Sequence, residues 1–449
     1  MNQKDLWLKE EAEALMEGWD FSHIEGRYEE EDDIPWDYRQ VIGQYLTSDM
    51  KLLDIDTGGG EFLRSLNHPP RNTAATEGYA PNVELCRREL CPLGIDFRPC
   101  DGKGILPFRD GSFDIVINRH GDFHAAEIFR VLKDGGLFIT QQVGAENDRE
   151  LVELLLGDVP LPFPQQTLSI VSDQFSKAGF SILRGEEHFG KIRFFDVGAL
   201  VWFAKIIEWE FPEFSVETHE QSLQKAWEIL EKNGVLQGRT HRFLLVAKKP
   251  EQKVIDHYDG LLSDGNDPIL DPPVLQAYMN KWDGAKFIET MRLSPSSRVL
   301  EIGVGTGRLA LRTAPLCGRF VGIDLAPRTV EAAREHLKTF PHASVICGDF
   351  LAYSFGEKFD VIYSSLTFMH IRYKQAAIEK CMSLLVSGGR LVLSLDKNRE
   401  TVLDAGFGAL TVHPDDPSLL RGMIERYGGT VSEEYETEFA TVLVAENRG

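Results

Sequence analysis

Twice in this chain an apolar, β-branched stretch closes on a carboxylate and runs directly into glycines. The first copy is Leu52-Leu53-Asp54-Ile55-Asp56-Thr57-Gly58-Gly59-Gly60, and the second is Val299-Leu300-Glu301-Ile302-Gly303-Val304-Gly305-Thr306-Gly307. Such a stretch reads as a buried parallel strand, and the glycines as a bend whose bare main chain lies against a ligand. A helix is expected from Arg308 onward. A dinucleotide fingerprint, Gly-x-Gly-x-x-Gly, would place its last glycine where Arg308 stands, so the alternate spacing at Gly303, Gly305 and Gly307 points to a different nucleotide.

The motifs downstream of each bend are duplicated as well. Asp324 ends an apolar strand, as Glu77 does; Asp349 and Asp101 end the next; Phe359-Asp360 and Phe113-Asp114 open a fourth; Gly388-Gly389 and Gly135-Gly136 turn into a fifth. From the bend to the opening of the fourth strand, matching positions lie 246 to 248 residues apart, which is an internal repeat at the scale of a domain. This order of motifs resembles class I S-adenosylmethionine-dependent methyltransferases. The resemblance implies two Rossmann-like, doubly wound, seven-stranded α/β domains in tandem, residues 1–249 and 250–449, and S-adenosylmethionine as cofactor.

Carried over motif by motif, the resemblance implies cofactor contacts in the second domain from Glu301, Gly303, Gly305, Gly307, Asp324, Leu325, Asp349, Phe350 and Ser364. In the first domain the corresponding contacts fall on Asp54, Gly58, Gly60, Glu77, Gly78, Asp101, Gly102 and Asn118. A carboxylate at the end of the second strand can accept hydrogen bonds from both ribose hydroxyls, and the next acid can meet the adenine amino group. The two copies differ at one telling place. Gly303 is matched by Asp56, and if glycine is needed there for positive φ or for room, Asp56 costs binding.

Composition narrows the partner. The formal net charge is −22, with 27 Lys and Arg against 43 Asp and Glu in residues 1–250 and 21 against 27 in the remainder. Neither half has a basic run, so nucleic acid substrates are disfavoured. The acidic run at 29–33 reads as a solvated loop. No apolar run approaches the roughly 18 residues of a membrane span, and the first residues lack a signal-peptide core, so a cytoplasmic location is expected. The six cysteines form no Cys-x-x-Cys pair and have no histidines at zinc spacing, so no metal is expected.

Residues 4–19 read as an amphipathic helix, and about 38–45 as a second. In the first domain the sixth and seventh strands are expected at 180–183 and 243–247, separated by an insertion at about 186–238 with helices near 196–208 and 222–233. That insertion reads either as a lid over substrate or as a structural addition. Trp19 and Trp202 in the first domain, and Tyr258 and Trp282 in the second, are the candidates to line substrate or close over the cofactor. The stretch 248–253, polar and containing Pro250, is the expected linker.

Methyl transfer needs a nucleophile in line with the sulfonium methyl at about 3 Å, and a general base only where the acceptor is protonated. Histidine suits that work, and His370 and His120 follow the fourth strands, where the pocket floor lies. The second domain lacks the Asn-Pro-Pro-Tyr or Asp-Pro-Pro-Tyr signature of amide and exocyclic-nitrogen methylation, and neither half has a catalytic cysteine motif. The expected activity is methyl transfer to a small molecule. Two alternatives stay open: one domain, more readily the first, is a non-catalytic binding module, or the chain acts on RNA. Acceptor atom and oligomeric state are not readable.

Overall fold

The structure is a computed structural model describing residues 2–15, 21–30, 33–404 and 409–449. The chain divides into two compact units, residues 1–42 with 48–248 and residues 43–47 with 249–449.

The first unit is built on β1 (Tyr28–Glu30), β2 (Leu52–Ile55), β3 (Thr73–Glu77), β4 (Asp96–Pro99), β5 (Phe113–Arg119), β6 (Leu132–Val143), β7 (Ser181–Phe194) and β8 (Leu236–Lys248). These form one eight-stranded sheet in the order β1-β7-β8-β6-β5-β2-β3-β4. That is one strand more than the seven expected, because β1 adds antiparallel to the far end of β7, pairing Tyr28 with Phe194. β2 to β6 run parallel, every residue of β2 is buried, and helices cover the faces as right-handed crossovers require. The strand order reverses between β2 and β5, which is where an open α/β sheet parts to admit a ligand.

The insertion is continuous with the sheet. β6 ends at Val143 opposite Arg242, so Leu236–His241 of β8 and their partners Phe189–Phe194 of β7 project past the carboxyl edge of the parallel strands. At about 3.4 Å per residue, the overhang rises roughly 20 Å. Helices Gln3–Glu13, Arg149–Leu156, Val197–Ile206 and Glu220–Asn233 wrap it around a second core of Trp7, Leu155, Phe194, Leu200, Trp202 and Phe211 among others. Trp202 is 2% exposed there, stacked on His23 and edge-on to Phe21. This corrects its expected place on a substrate-facing lid, since a ring consumed by core packing offers no face to a ligand. Trp19 lies outside the described residues, as does the end of the helix expected over residues 4–19.

The second unit is the same design without the overhang. Its strands are β9 (Arg298–Ile302), β10 (Arg319–Asp324), β11 (Ala343–Cys347), β12 (Phe359–Ser365), β13 (Leu385–Asp396), the small pair β14 (Val402–Asp404) and β15 (Ala409–Thr411), then β16 (Gly429–Glu436) and β17 (Ala440–Asn447). The seven-stranded sheet has the order β11-β10-β9-β12-β13-β17-β16, reversing between β9 and β12. Here β13 ends at Asp396 opposite Ala440, where β17 begins, so nothing projects beyond the edge. No described helix of the chain is long and apolar enough to cross a membrane.

Candidate functional site

In the second unit the bend after β9 carries three glycines at positive φ, +74° at Gly303, +54° at Gly305 and +101° at Gly307. Gly303 is constrained twice: its φ is in the left-handed region, and a Cβ there would sit 1.9 Å from the Thr367 hydroxyl oxygen. Gly305 is the reverse case, because a Cβ there would meet no atom within 4 Å, so its main chain faces open space.

That open main chain is held by Asp324. The Gly305 N–H donates to Oδ2 at 2.9 Å and the Ala326 N–H to Oδ1 at 3.1 Å. The Leu325 N–H faces this carboxylate as well, so the backbone fixes its orientation and leaves acceptor capacity for a ligand hydroxyl. Burial raises the Asp324 pKa, and the N–H donors of Ala326, Gly305 and Leu325 oppose the shift. Glu301, 3% exposed, accepts from the Tyr363 hydroxyl at 2.7 Å, and burial pushes its carboxyl up to about 8. The Ser364 hydroxyl, also buried, donates to the Ile302 carbonyl at 2.9 Å, so this side chain ties β12 to β9 and has no proton to give a ligand. Asp349 takes the Leu351 N–H at 2.7 Å; Phe350 is 6% exposed and Leu325 is half-buried.

Helix Gln252–Ser263 crosses this crevice. Asp259 accepts from the Arg328 N–H at 3.0 Å, docking the helix on the start of helix Pro327–Leu337. From the same helix the Tyr258 hydroxyl lies 2.7 Å from Nε2 of His370, and the Asp324 charge adds to burial in raising the Tyr258 pKa. Tyr258, Asp324 and His370 are therefore brought together, but not with His370 as a base. Burial, followed by the charge on Lys374, pushes its pKa down to about 3, and its Nε2 is already engaged. A ring that holds a proton so weakly cannot draw one from an acceptor at neutral pH. His370 fixes Tyr258 instead. Trp282 packs on Phe439 and Tyr278 at ring-centroid distances of 4.7 and 5.6 Å, and its carbonyl accepts from Ser394 and Thr437.

Sequence reasoning missed the residue just after the bend. Nη1 of Arg308 is 2.5 Å from Oδ2 of Asp283, which is fully buried and also accepts from the Ser365 hydroxyl. The signal was present in the repeat: the position matching Arg308 in the first domain is Glu61, an inversion of charge.

The first unit repeats the clamp. The Gly58 N–H donates to Oε2 of Glu77 at 2.8 Å and the Tyr79 N–H to Oε1 at 2.8 Å. Around it the crevice differs. Asp56 takes the left-handed conformation, φ +53°, and its Oδ2 accepts from the Asp122 N–H at 3.0 Å. The loops after β4 and β5 meet beside this carboxylate, so tightly that a Cβ on Gly102 would fall 1.9 Å from the Asp122 carbonyl oxygen and 3.0 Å from Asp56 Oδ2. Gly78 is also closely packed, its Cβ position 2.8 Å from Asp101 Cβ. Lys103 and Asp122 add an ion pair at 2.9 Å. Asp101 is spent locally on the Gly104 N–H at 3.1 Å. Asn118 is fully buried, donating to the Ile55 carbonyl at 3.0 Å and accepting from Gln142 at 2.5 Å.

The acids of this unit crowd one another, with Arg119 opposing the rise in the Asp54 pKa only as a minor influence. Burial pushes Asp54, which accepts from Thr57 at 2.6 Å, up to about 7, and burial and the Glu77 charge do the same to Asp56. The Glu61 carboxylate lies on the bend itself, 2.2 Å from where a Cβ on Gly59 would be. His120 is exposed at φ +60°, its Nε2 3.3 Å from the Gln141 amide nitrogen, and no carboxylate among the described residues orients it for base work.

Two family models described as "Methyltransferase domain" match the chain, one over residues 53–140 and one over 299–389. Among curated proteins, the ubiquinone biosynthesis O-methyltransferase of Cereibacter sphaeroides (strain ATCC 17025) is 34% identical over 117 residues, 25% of this chain and 47% of that protein. Nodulation protein S of Sinorhizobium fredii is 28% identical over 128 residues, 26% of this chain and 59% of its own length. The matches therefore span about half of these relatives. Among solved structures, magnesium protoporphyrin IX methyltransferase from Synechocystis PCC 6803 with bound S-adenosylmethionine is 17% identical and covers 44% of this chain and 96% of its own, with a TM-score of 0.35. N-methyltransferase NodS from Bradyrhizobium japonicum WM9 is 22% identical, covering 43% and 98%, with a TM-score of 0.33.

Proposed function

This chain belongs to the class I methyltransferases, with two such domains in tandem, and from that premise we propose that the second domain binds S-adenosylmethionine and transfers its methyl group to an oxygen or nitrogen of a small molecule. The observation that carries this reading is the Gly305–Asp324 clamp, a carboxylate aimed by backbone N–H donors beside unobstructed main chain. The residues present fit the cofactor: Asp324 would accept from the ribose hydroxyls, Asp349 and Phe350 would frame the adenine, and Gly303 and Gly305 would underlie the methionine chain.

The cofactor, when bound, supplies a methyl group on a cationic sulfur. What the protein adds is position. Helix Gln252–Ser263 covers the crevice and excludes water, with Tyr258 held by His370 as its fastening. Because no described group in the crevice is both free and basic enough to take a proton, the acceptor best matched is one that is already nucleophilic at neutral pH, such as a weakly basic, unprotonated amine or an acidified hydroxyl. Arg308, neutralised by Asp283, stiffens the bend without adding net charge.

In the first domain the Asp56 carboxylate and the meeting of the loops at Gly102 and Asp122 favour a second reading for that half alone, a non-catalytic module. A thermal-shift experiment with S-adenosylhomocysteine separates the halves. Asp324→Ala should weaken binding about 100-fold, as expected for roughly two charge-assisted hydrogen bonds at about 1.5 kcal/mol each, whereas Glu77→Ala leaves the shift intact. Equal loss in both variants would overturn the assignment.

A further inference from the structure

On the edge of the first sheet opposite its glycine bend, the amino-terminal ends of β2 to β5 line an open-sided cavity of about 410 Å³, within the range of small-molecule sites. Four cations line it, Lys51, Arg71, Arg98 and Arg109, over a floor that includes Phe108 and Phe113. Their convergence is unexpected in a half that carries 43 acids against 27 basic residues. Like charges gathered around one concavity repel, and a folded chain keeps them together at a cost unless something offsets the charge.

The local carboxylates do not offset it. Asp96 is committed to Arg98, with contacts of 3.0 and 2.8 Å, while that guanidinium also stacks on Phe108 at 4.5 Å. Asp114 is held by Lys133 at 2.8 Å and by the Lys51 main-chain N–H at 2.6 Å. The Lys51 ammonium donates only to neutral oxygens, the Arg71 carbonyl at 2.8 Å and the Asn72 side chain at 2.9 Å. Among the described residues, the guanidinium groups of Arg71 and Arg109 make no ion pair or hydrogen bond. Three cations without a carboxylate partner thus face one cavity, whose floor is an edge-to-face aromatic pair with centroids 4.9 Å apart.

We propose that this cavity is a second ligand site, for a phosphate-bearing small molecule whose phosphate is gripped by Lys51, Arg71 and Arg109 and whose apolar or planar part lies on Phe108 and Phe113. Guanidinium forks match phosphate oxygens in pairs, and Lys51 adds a point charge already aimed by its two neutral acceptors. The site lies at the opposite ends of the strands from the bend, so it does not depend on what the glycine crevice binds. A concavity of this size set in an acidic half suits a compact anion better than an extended polymer.

Calorimetric titration of the full-length chain with inorganic pyrophosphate at low ionic strength tests this. Saturable binding is expected, weakened about tenfold or more by Arg71→Ala/Arg109→Ala, the equivalent of at least one charge-assisted hydrogen bond. Arg87→Ala/Arg88→Ala removes the same charge from another exposed surface of the unit and should leave the affinity unchanged. Unchanged unfolding temperatures establish that both variants fold. No saturable binding, equal weakening in the two double variants, or a single-stranded oligonucleotide that binds more tightly than pyrophosphate would each overturn the proposal.

Discussion

At the bend after β9 the residue beyond the buried pair is Gly303, faced by Thr367; at the bend after β2 it is Asp56, faced by Gly121. The two positions have exchanged size. A Cβ on Gly303 would strike the Thr367 hydroxyl at 1.9 Å, and a Cβ on Gly121 would strike Asp56 Cβ at 2.5 Å. Both bends keep positive φ, +74° at Gly303 and +53° at Asp56, so Asp56 bears a conformation that is costlier for it than for glycine. The backbone and its clamp were retained while the charge lining changed from Gly303 and Arg308 to Asp56 and Glu61. A methionine carboxylate, adjacent to these positions in the proposed binding mode, would be tolerated by the second bend and repelled by the first. Sharing a fold therefore does not make the two crevices equivalent.

The largest effect should come from converting the first bend into the second. Asp56→Gly with Glu61→Arg removes two carboxylates and restores a cation, so a second equivalent of S-adenosylhomocysteine should bind per chain. If none binds, contact between the loops at Gly102 and Asp122, rather than charge, closes the crevice. The converse exchange should be smaller. Gly303→Asp brings a Cβ against Thr367 and should cost about 2–3 kcal/mol in chemical denaturation, within the usual range for overpacking plus left-handed strain. Adding Thr367→Gly, which reproduces the pair of the first domain, should recover at least about half of it, since the two positions touch and their effects couple. Strict additivity would break the comparison.

A pH dependence sharpens the same comparison. Asp54 and Asp56 are pushed up to about 7 in the folded chain, from an ordinary value of 3.8. Between those values the folded state binds more protons than the unfolded state, so stability falls as pH rises from about 4 to about 7 and is flat above. The unfolding temperature should drop from pH 5 to pH 7 by more in the native chain than in Asp54→Asn/Asp56→Asn. An equal drop in both would show that these acids do not crowd one another.

Much of this architecture was legible in the chain because its signals are local. Leu52–Ile55 and Arg298–Ile302 are apolar strands ending beside glycine, and the acids Glu77 and Asp324 come at a fixed interval after them. What was not legible depends on contacts distant in sequence. Nothing near Asp56 reveals that Gly121 makes room for it, and nothing near Arg308 reveals that Asp283, 25 residues earlier, holds it. The extra strand β1, a half-buried Tyr28 followed by two exposed acids, is too short to carry a period. Trp202 resembled a lid residue because an aromatic-rich helix between two strands reads alike whether it faces substrate or a second core. His370 resembled a base because its burial, and so its pKa, is invisible without the helix that brings Tyr258 to it.

The central claim is that one crevice of the two is built to take the cofactor. Isothermal titration of the full-length, unmodified chain with S-adenosylhomocysteine tests it most directly. One equivalent should bind per chain, weakened about 100-fold by Asp324→Ala and indifferent to Glu77→Ala. Two equivalents, or a single equivalent lost with Glu77 and retained without Asp324, would contradict it.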